Sequence, residues 1–126
     1  MIKSFRDLRI WREAHALAVE IYLVTEHFPT SERYGLSSQM RRAASSISAN
    51  IAEGMGKATR KDFLNYLYVS RGSTQEIINF CLLTSDLGYL SKEKGNQLIA
   101  RYDGLSAGIQ KMISSIKSKD TNDLAT

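Results

Sequence analysis

Between Gln39 and Gly56 the chain reads QMRRAASSISANIAEGMG, and this stretch limits the possible folds more than any other. Met40, Ala43, Ala44, Ile47, Ile51 and Met55 recur at spacings of three and four, which is one face of an amphipathic helix. The remaining positions, where Glu and Lys usually coat a solvated helix, hold Ala49, Ala52, Gly54, Ser45, Ser46 and Ser48, preceded by Ser37 and Ser38. Small side chains let backbones approach closely and lose little rotamer entropy on burial. The spacing therefore predicts a central helix touched on more than one side. Gln39, Arg42, Ser46, Asn50 and Glu53 form a polar stripe on the same helix. That stripe is a hydrogen-bond network inside an assembly, the wall of a polar groove, or a solvated face. Arg41 lies one position round from it.

Three further segments carry the same period. Ile10, Ala14, Leu17, Ile21, Val24 and Phe28 predict a helix over about 7–27, opened by the Ser4-x-x-Asp7 spacing and stopped by Pro29. Gly35 is expected to supply a backbone conformation other residues avoid, and Ser37 or Ser38 to cap the central helix over 37–55. Thr59-x-x-Asp62 opens a third helix over 60–87. It has two seams, Phe63–Leu67–Ser70–Thr74–Ile77–Cys81 and Tyr66–Val69–Ser73–Glu76–Phe80–Leu83–Leu87. Leu98, Tyr102, Leu105, Ile109, Met112 and Ile116 predict a fourth over 92–116, in which some of Gly95, Gly104 and Gly108 are expected to mark close helix contacts. The polar stretch 118–126 reads as a disordered tail.

No segment alternates with period two, so the expectation is an all-α, single-domain, antiparallel up-down-up-down four-helix bundle over 4–117. Two seams on the third helix exceed what one bundle hides. Several copies are therefore expected to associate.

With 126 residues, 43% of them hydrophobic, the chain is long enough to bury a core without metal or disulfide. Cys81 is the single cysteine, set in an apolar run where a packed thiol is the ordinary outcome. No signal-peptide block and no apolar stretch of about 20 residues is visible, so a cytoplasmic protein is expected. The net charge of +4 comes from 29–58 and 91–126; the other segments balance. A basic patch and scattered solubilising charge both remain open on that surplus.

Chemistry-bearing motifs are sparse. Neither His15 nor His27 has Glu three residues before it, so the di-iron motif of bundle proteins is missing, and two histidines with one cysteine do not make a zinc site. There is no phosphate-cradling glycine loop, and nothing brings a histidine to a nucleophile. No enzyme activity, metal or cofactor is expected. Glu53 and Glu76 would need partners if buried, with Arg42, Arg71 and Asn50 available.

FRDLRIW, FPTSERYGLSSQMRRAASSISANIAEGMGK, FLNYL with SRGSTQE, and LGYL together resemble the four-helix-bundle proteins of the ribosomal RNA intervening-sequence family, over residues 4–116. Those proteins are named for inserts in bacterial 23S rRNA genes, and their relatives include the accessory variability determinant proteins of diversity-generating retroelements. The resemblance implies a ring-like homopentamer without enzyme activity or cofactor, and for the retroelement members a basic, nucleic-acid-binding surface. Ser70 stands where Ala would be expected before Arg-Gly-Ser.

Two functions follow as expectations. In the first, a homo-oligomer binds RNA or DNA through Arg41, Lys57, Arg60 and Lys61, with Arg9 and Arg12. In the second, it is an adaptor that docks a protein partner without nucleic acid. In either case Arg42, Ser46, Asn50 and Glu53 are expected to meet Arg71, Gly72, Ser73 and Glu76 in a structural polar network.

Overall fold

Ser4 begins a single 3-10 turn, Phe5–Asp7, instead of the long helix its spacing suggests. The capping box is present: the Ser4 hydroxyl accepts from the Arg6 amide at 3.1 Å, and Asp7 accepts from the Lys3 and Ser4 amides. Those backbone donors hold the Asp7 carboxyl below its ordinary range. Leu8 then turns extended and sinks into the core, so α1 (Arg9–Thr25) starts two residues later than expected. Trp11 packs its ring on Phe5 at 5.0 Å and on His15 at 4.9 Å, which fastens the 3-10 turn to α1.

The computed structural model describes residues 2–125, with side chains through residue 119. Three more helices follow: α2 (Leu36–Met55), α3 (Arg60–Asp86) and α4 (Lys92–Ala125). Among the described residues there is no strand, and the chain is one all-α domain.

Helix termini depart from expectation where their partners come from outside the local sequence. No side chain at Ser37 or Ser38 caps α2; Ser37 is buried and Gly35 is the cap residue. Glu32 does the capping, its carboxylate accepting from the Leu36 amide at 3.3 Å. Gly35 has φ −109° and ψ −113°, which is neither helical nor extended, and a Cβ there would meet Glu32 Oε1 at 2.7 Å. Thr59 caps α3 by accepting from the Asp62 amide. Gly88 carries the positive φ, +81°, that closes α3 into the turn before α4. The α4 seam ends at Ile116, yet helical backbone continues to Ala125, since no proline or glycine stands in 117–125 to interrupt its ladder. The expected tail 118–126 is thus helical as far as Ala125; Thr126 and the side chains of 120–125 lie outside the described residues.

Each helix packs on its neighbour in the chain and α4 returns to α1, the sparsest of the four junctions. Leu17, Ile47, Ile51, Ile77, Tyr102 and Ile109 are fully buried at the centre. On α4, Ile113 occupies a buried position while Met112 is half-buried. Buried hydroxyls on α1 and α3 bond back along their own helices, Thr25 to the Ile21 carbonyl and Thr74 to that of Ser70, while Ser70 crosses to the Ile47 carbonyl at 2.9 Å.

Candidate functional site

Two of the small residues of α2, Ser46 and Gly54, face α3. Gly54 is buried there, and a Cβ on it would lie 2.6 Å from Tyr66 Cβ, so only glycine admits this approach. Along the same junction Ser46 and Ser73 share a hydrogen bond at 3.0 Å, and Asn50 donates to the Ser46 carbonyl and hydroxyl. Arg42 pairs with Glu76 at 2.6 Å and also donates to Gln39. Glu53 accepts from the Tyr66 hydroxyl at 3.3 Å. Two residues of the expected network go elsewhere. Arg71 turns to α4, donating to Gln110 at 2.5 Å beside the Tyr68 ring. Gly72 faces out, with nothing of this chain within 4 Å of where its Cβ would stand.

The expected phosphate contacts divide into engaged and unengaged cations. Arg41 is tied to α1: it donates to Thr25 Oγ1 at 2.8 Å, to the Tyr22 carbonyl and to Glu26, with its guanidinium over the Tyr22 ring. Arg12 donates to the Arg6 and Asp7 carbonyls, finishing the 3-10 turn that the sequence reading ran into α1. Lys57 lies 5.4 Å from the Tyr66 ring centroid, and Arg60, an exposed residue, has interactions of its own. Arg9 and Lys61 are exposed and take part in no hydrogen bond or ion pair among the described residues.

Two clefts flank the bundle. One, about 670 Å³, lies between the end of α1 and the start of α2, where Tyr22, Arg33 and the 88% exposed Tyr34 surround a floor that includes Phe28. The other, about 530 Å³, opens between α1 and α4 and brings Arg9 together with Arg101 and Lys111. Sequence reasoning passed over Arg101 and Lys111, because only the α1–α4 junction puts them beside Arg9. Above this cleft Glu20 accepts from Lys94 at 3.0 Å and Arg101 at 3.3 Å, and the Lys94 hydrogen bond, with both positive charges, holds its carboxyl below the ordinary value.

Large apolar side chains also remain open. Val19 and Leu23 (60% exposed) lie on α1, Val69, Leu82 and Leu83 on α3, and Leu87 just past its end. The buried groups are inert at neutral pH: desolvation pushes the Cys81 thiol up to about 12 and raises the Tyr102 hydroxyl beyond its ordinary range. Among the described residues no three His, Cys, Asp or Glu side chains gather as a metal would require, and no helix is long and apolar enough to cross a membrane.

These features define a single-domain all-α protein of four helices with unpaired surface cations and open apolar faces. Residues 6–113 match the family model described as 23S rRNA-intervening sequence protein, and the chain belongs to that family. A solved structure of similar fold is a protein of unknown function from the S23 ribosomal protein family of Bacteroides thetaiotaomicron VPI-5482. It shares 21% identity, covers 83% of this chain and 95% of its own, and superposes with a TM-score of 0.78. No curated protein matches the chain.

Proposed function

We propose that this chain is a non-enzymatic, cytoplasmic, homo-oligomeric bundle that binds RNA or DNA through phosphates at one cationic end. Helices of alternating direction place the charges. Contact pairs support that arrangement, one index rising as the other falls: Arg42 with Glu76, Ser46 with Ser73 and Glu53 with Tyr66; Gln75 with Ser106 and Arg71 with Gln110. Gly108 beside Ile10 and Lys94 beside Glu20 extend it to α1 and α4.

In that arrangement one half of the bundle holds residues 2–16, 46–71 and 106–125, with eleven Lys and Arg against six Asp and Glu. The opposite half, 17–45 and 72–105, holds six against seven. This polarity is the observation that carries the reading. A charge surplus gathered at one end attracts a polyanion more strongly than the same surplus spread evenly. The α1 and α3 apolar faces lie on different surfaces, which suits a head-to-tail contact that closes a ring. Five copies, the number the family resemblance implies, would raise +4 to about +20.

The test is titration of a labelled RNA and of DNA of the same sequence by fluorescence anisotropy, with mass by light scattering. Expected are a mass several times 14.1 kDa, affinity that falls linearly in log salt, and at least tenfold weaker binding for the Arg9→Glu, Lys61→Glu double variant. Absence of binding at low salt would overturn the nucleic-acid reading and leave the adaptor function. A single-copy mass would overturn the ring.

A further inference from the structure

We propose that the cleft between α1 and α4 seats the sugar–phosphate backbone of a single nucleic-acid strand, an inference that rests on the reading above and gives it a path. The cleft follows α4 from Arg101 past Gly104 and Gly108 to Lys111. Those positions fall at i, i+3, i+7 and i+10, one stripe of the helix, about 15 Å long at 1.5 Å per residue. That is enough for a run of phosphates. Arg9 faces the stripe from α1, and Glu13 is the one carboxylate in the lining. Neither Arg9 nor Lys111 has a hydrogen bond or ion pair among the described residues, so both charges are available. Ile10 and Leu105 make an apolar floor against which the sugars can lie.

The charge pattern selects the occupant. Arg101 is already held by Glu20, which leaves Arg9 and Lys111 unpaired against Glu13 in the lining; a small positive surplus spread along the cleft fits a strand better than a single anion. The two glycines divide their roles. A Cβ on Gly108 would meet Ile10 Cγ2 at 3.1 Å, so Gly108 brings α4 close to α1. Nothing of this chain lies within 4 Å of the equivalent point on Gly104. A mid-helix glycine there weakens α4 relative to alanine with no contact inside the chain to account for it. What it does is keep the cleft wide between the cations.

The experiment titrates a fluorescein-labelled 20-nucleotide oligo(U) RNA with wild type, Gly104→Leu, Gly104→Ser, Lys111→Gln and Lys61→Gln, with oligo(dT) and duplex RNA as further probes. Gly104→Leu fills the cleft without changing charge and is expected to raise Kd at least fivefold while circular dichroism and oligomer mass stay unchanged. Gly104→Ser should act in the same direction, less strongly, and serves if the leucine variant fails to fold. Lys111→Gln should raise Kd and reduce the log–log salt slope by about one. Oligo(dT) bound like oligo(U), and weakened by the same variants, would mark phosphate recognition common to both sugars. Variants at 104 and 111 that bind like wild type while Lys61→Gln binds more weakly would overturn the cleft and leave the cationic end standing. A fall in oligomer mass on filling position 104, or duplex RNA binding more tightly than the strand with the same dependence on 104, would overturn it too. No binding by wild type would instead remove the underlying reading.

Discussion

The α2–α3 and α1–α4 junctions both use small residues, to opposite ends. Between α2 and α3, Gly54 and the Ser46–Ser73 pair bring two backbones together and leave a junction closed by hydrogen bonds. Between α1 and α4, Gly108 stands against Ile10 but Gly104 meets nothing, and the helices are otherwise bridged by long charged side chains, Lys94 and Arg101 reaching across to Glu20. A glycine in a helix has the same propensity cost at either place. Only the first is offset by packing within the chain. The second is where a ligand has room to enter.

The sharpest way to break this contrast is to add the same group to both glycines. Gly54→Ala would place its Cβ 2.6 Å from Tyr66 Cβ, and overpacking of that kind is expected to destabilise by about 1–3 kcal/mol, read as a lower urea midpoint. Gly104→Ala meets no atom and should stabilise by about 0.5–1 kcal/mol, read as a higher Tm. A shift of the same sign at both sites, or none at either, would dissolve the distinction.

The ion pairs give a smaller handle. The Glu20 carboxyl sits below its ordinary value of 4.5 in the folded chain, so its contribution is complete above that pH and is lost as the pH falls through the folded value. Wild type should therefore lose stability more steeply below about pH 4.5 than Glu20→Gln. At neutral pH that variant should be weaker by under about 1 kcal/mol, the gap narrowing in high salt. Smallest of all is Tyr102→Phe. The Tyr102 hydroxyl is buried with no hydrogen-bond partner among the described residues, so its removal should shift stability by less than about 0.5 kcal/mol or raise it slightly. A loss above about 1 kcal/mol in thermal unfolding would mean the hydroxyl is satisfied after all.

Local pattern carried the helices and little of the site. Ile10, Leu17 and Ile21, or Leu98, Tyr102 and Ile109, bury at the spacing that announces them, because helical periodicity and burial are the same geometry seen twice. Thr59 caps α3 as its position predicts, since cap and amide are three residues apart. The cations were misplaced for the complementary reason. Arg41 finds Thr25 and Glu26 across a helix junction, and Arg12 finds carbonyls created by a turn that the burial of Leu8 imposes. Whether an arginine is engaged depends on acceptors distant in the chain or in a local fold that tertiary packing selects. No run of neighbouring letters reports that.

The amino-acid order by itself determined four helices, their buried faces and the residues small enough for close packing, since each follows from spacing within about ten residues. Only the tertiary structure decided which glycine closes a junction and which leaves one open, and which basic side chains stay unpaired. Those properties belong to pairs of helices, and arise when the chain folds back on itself.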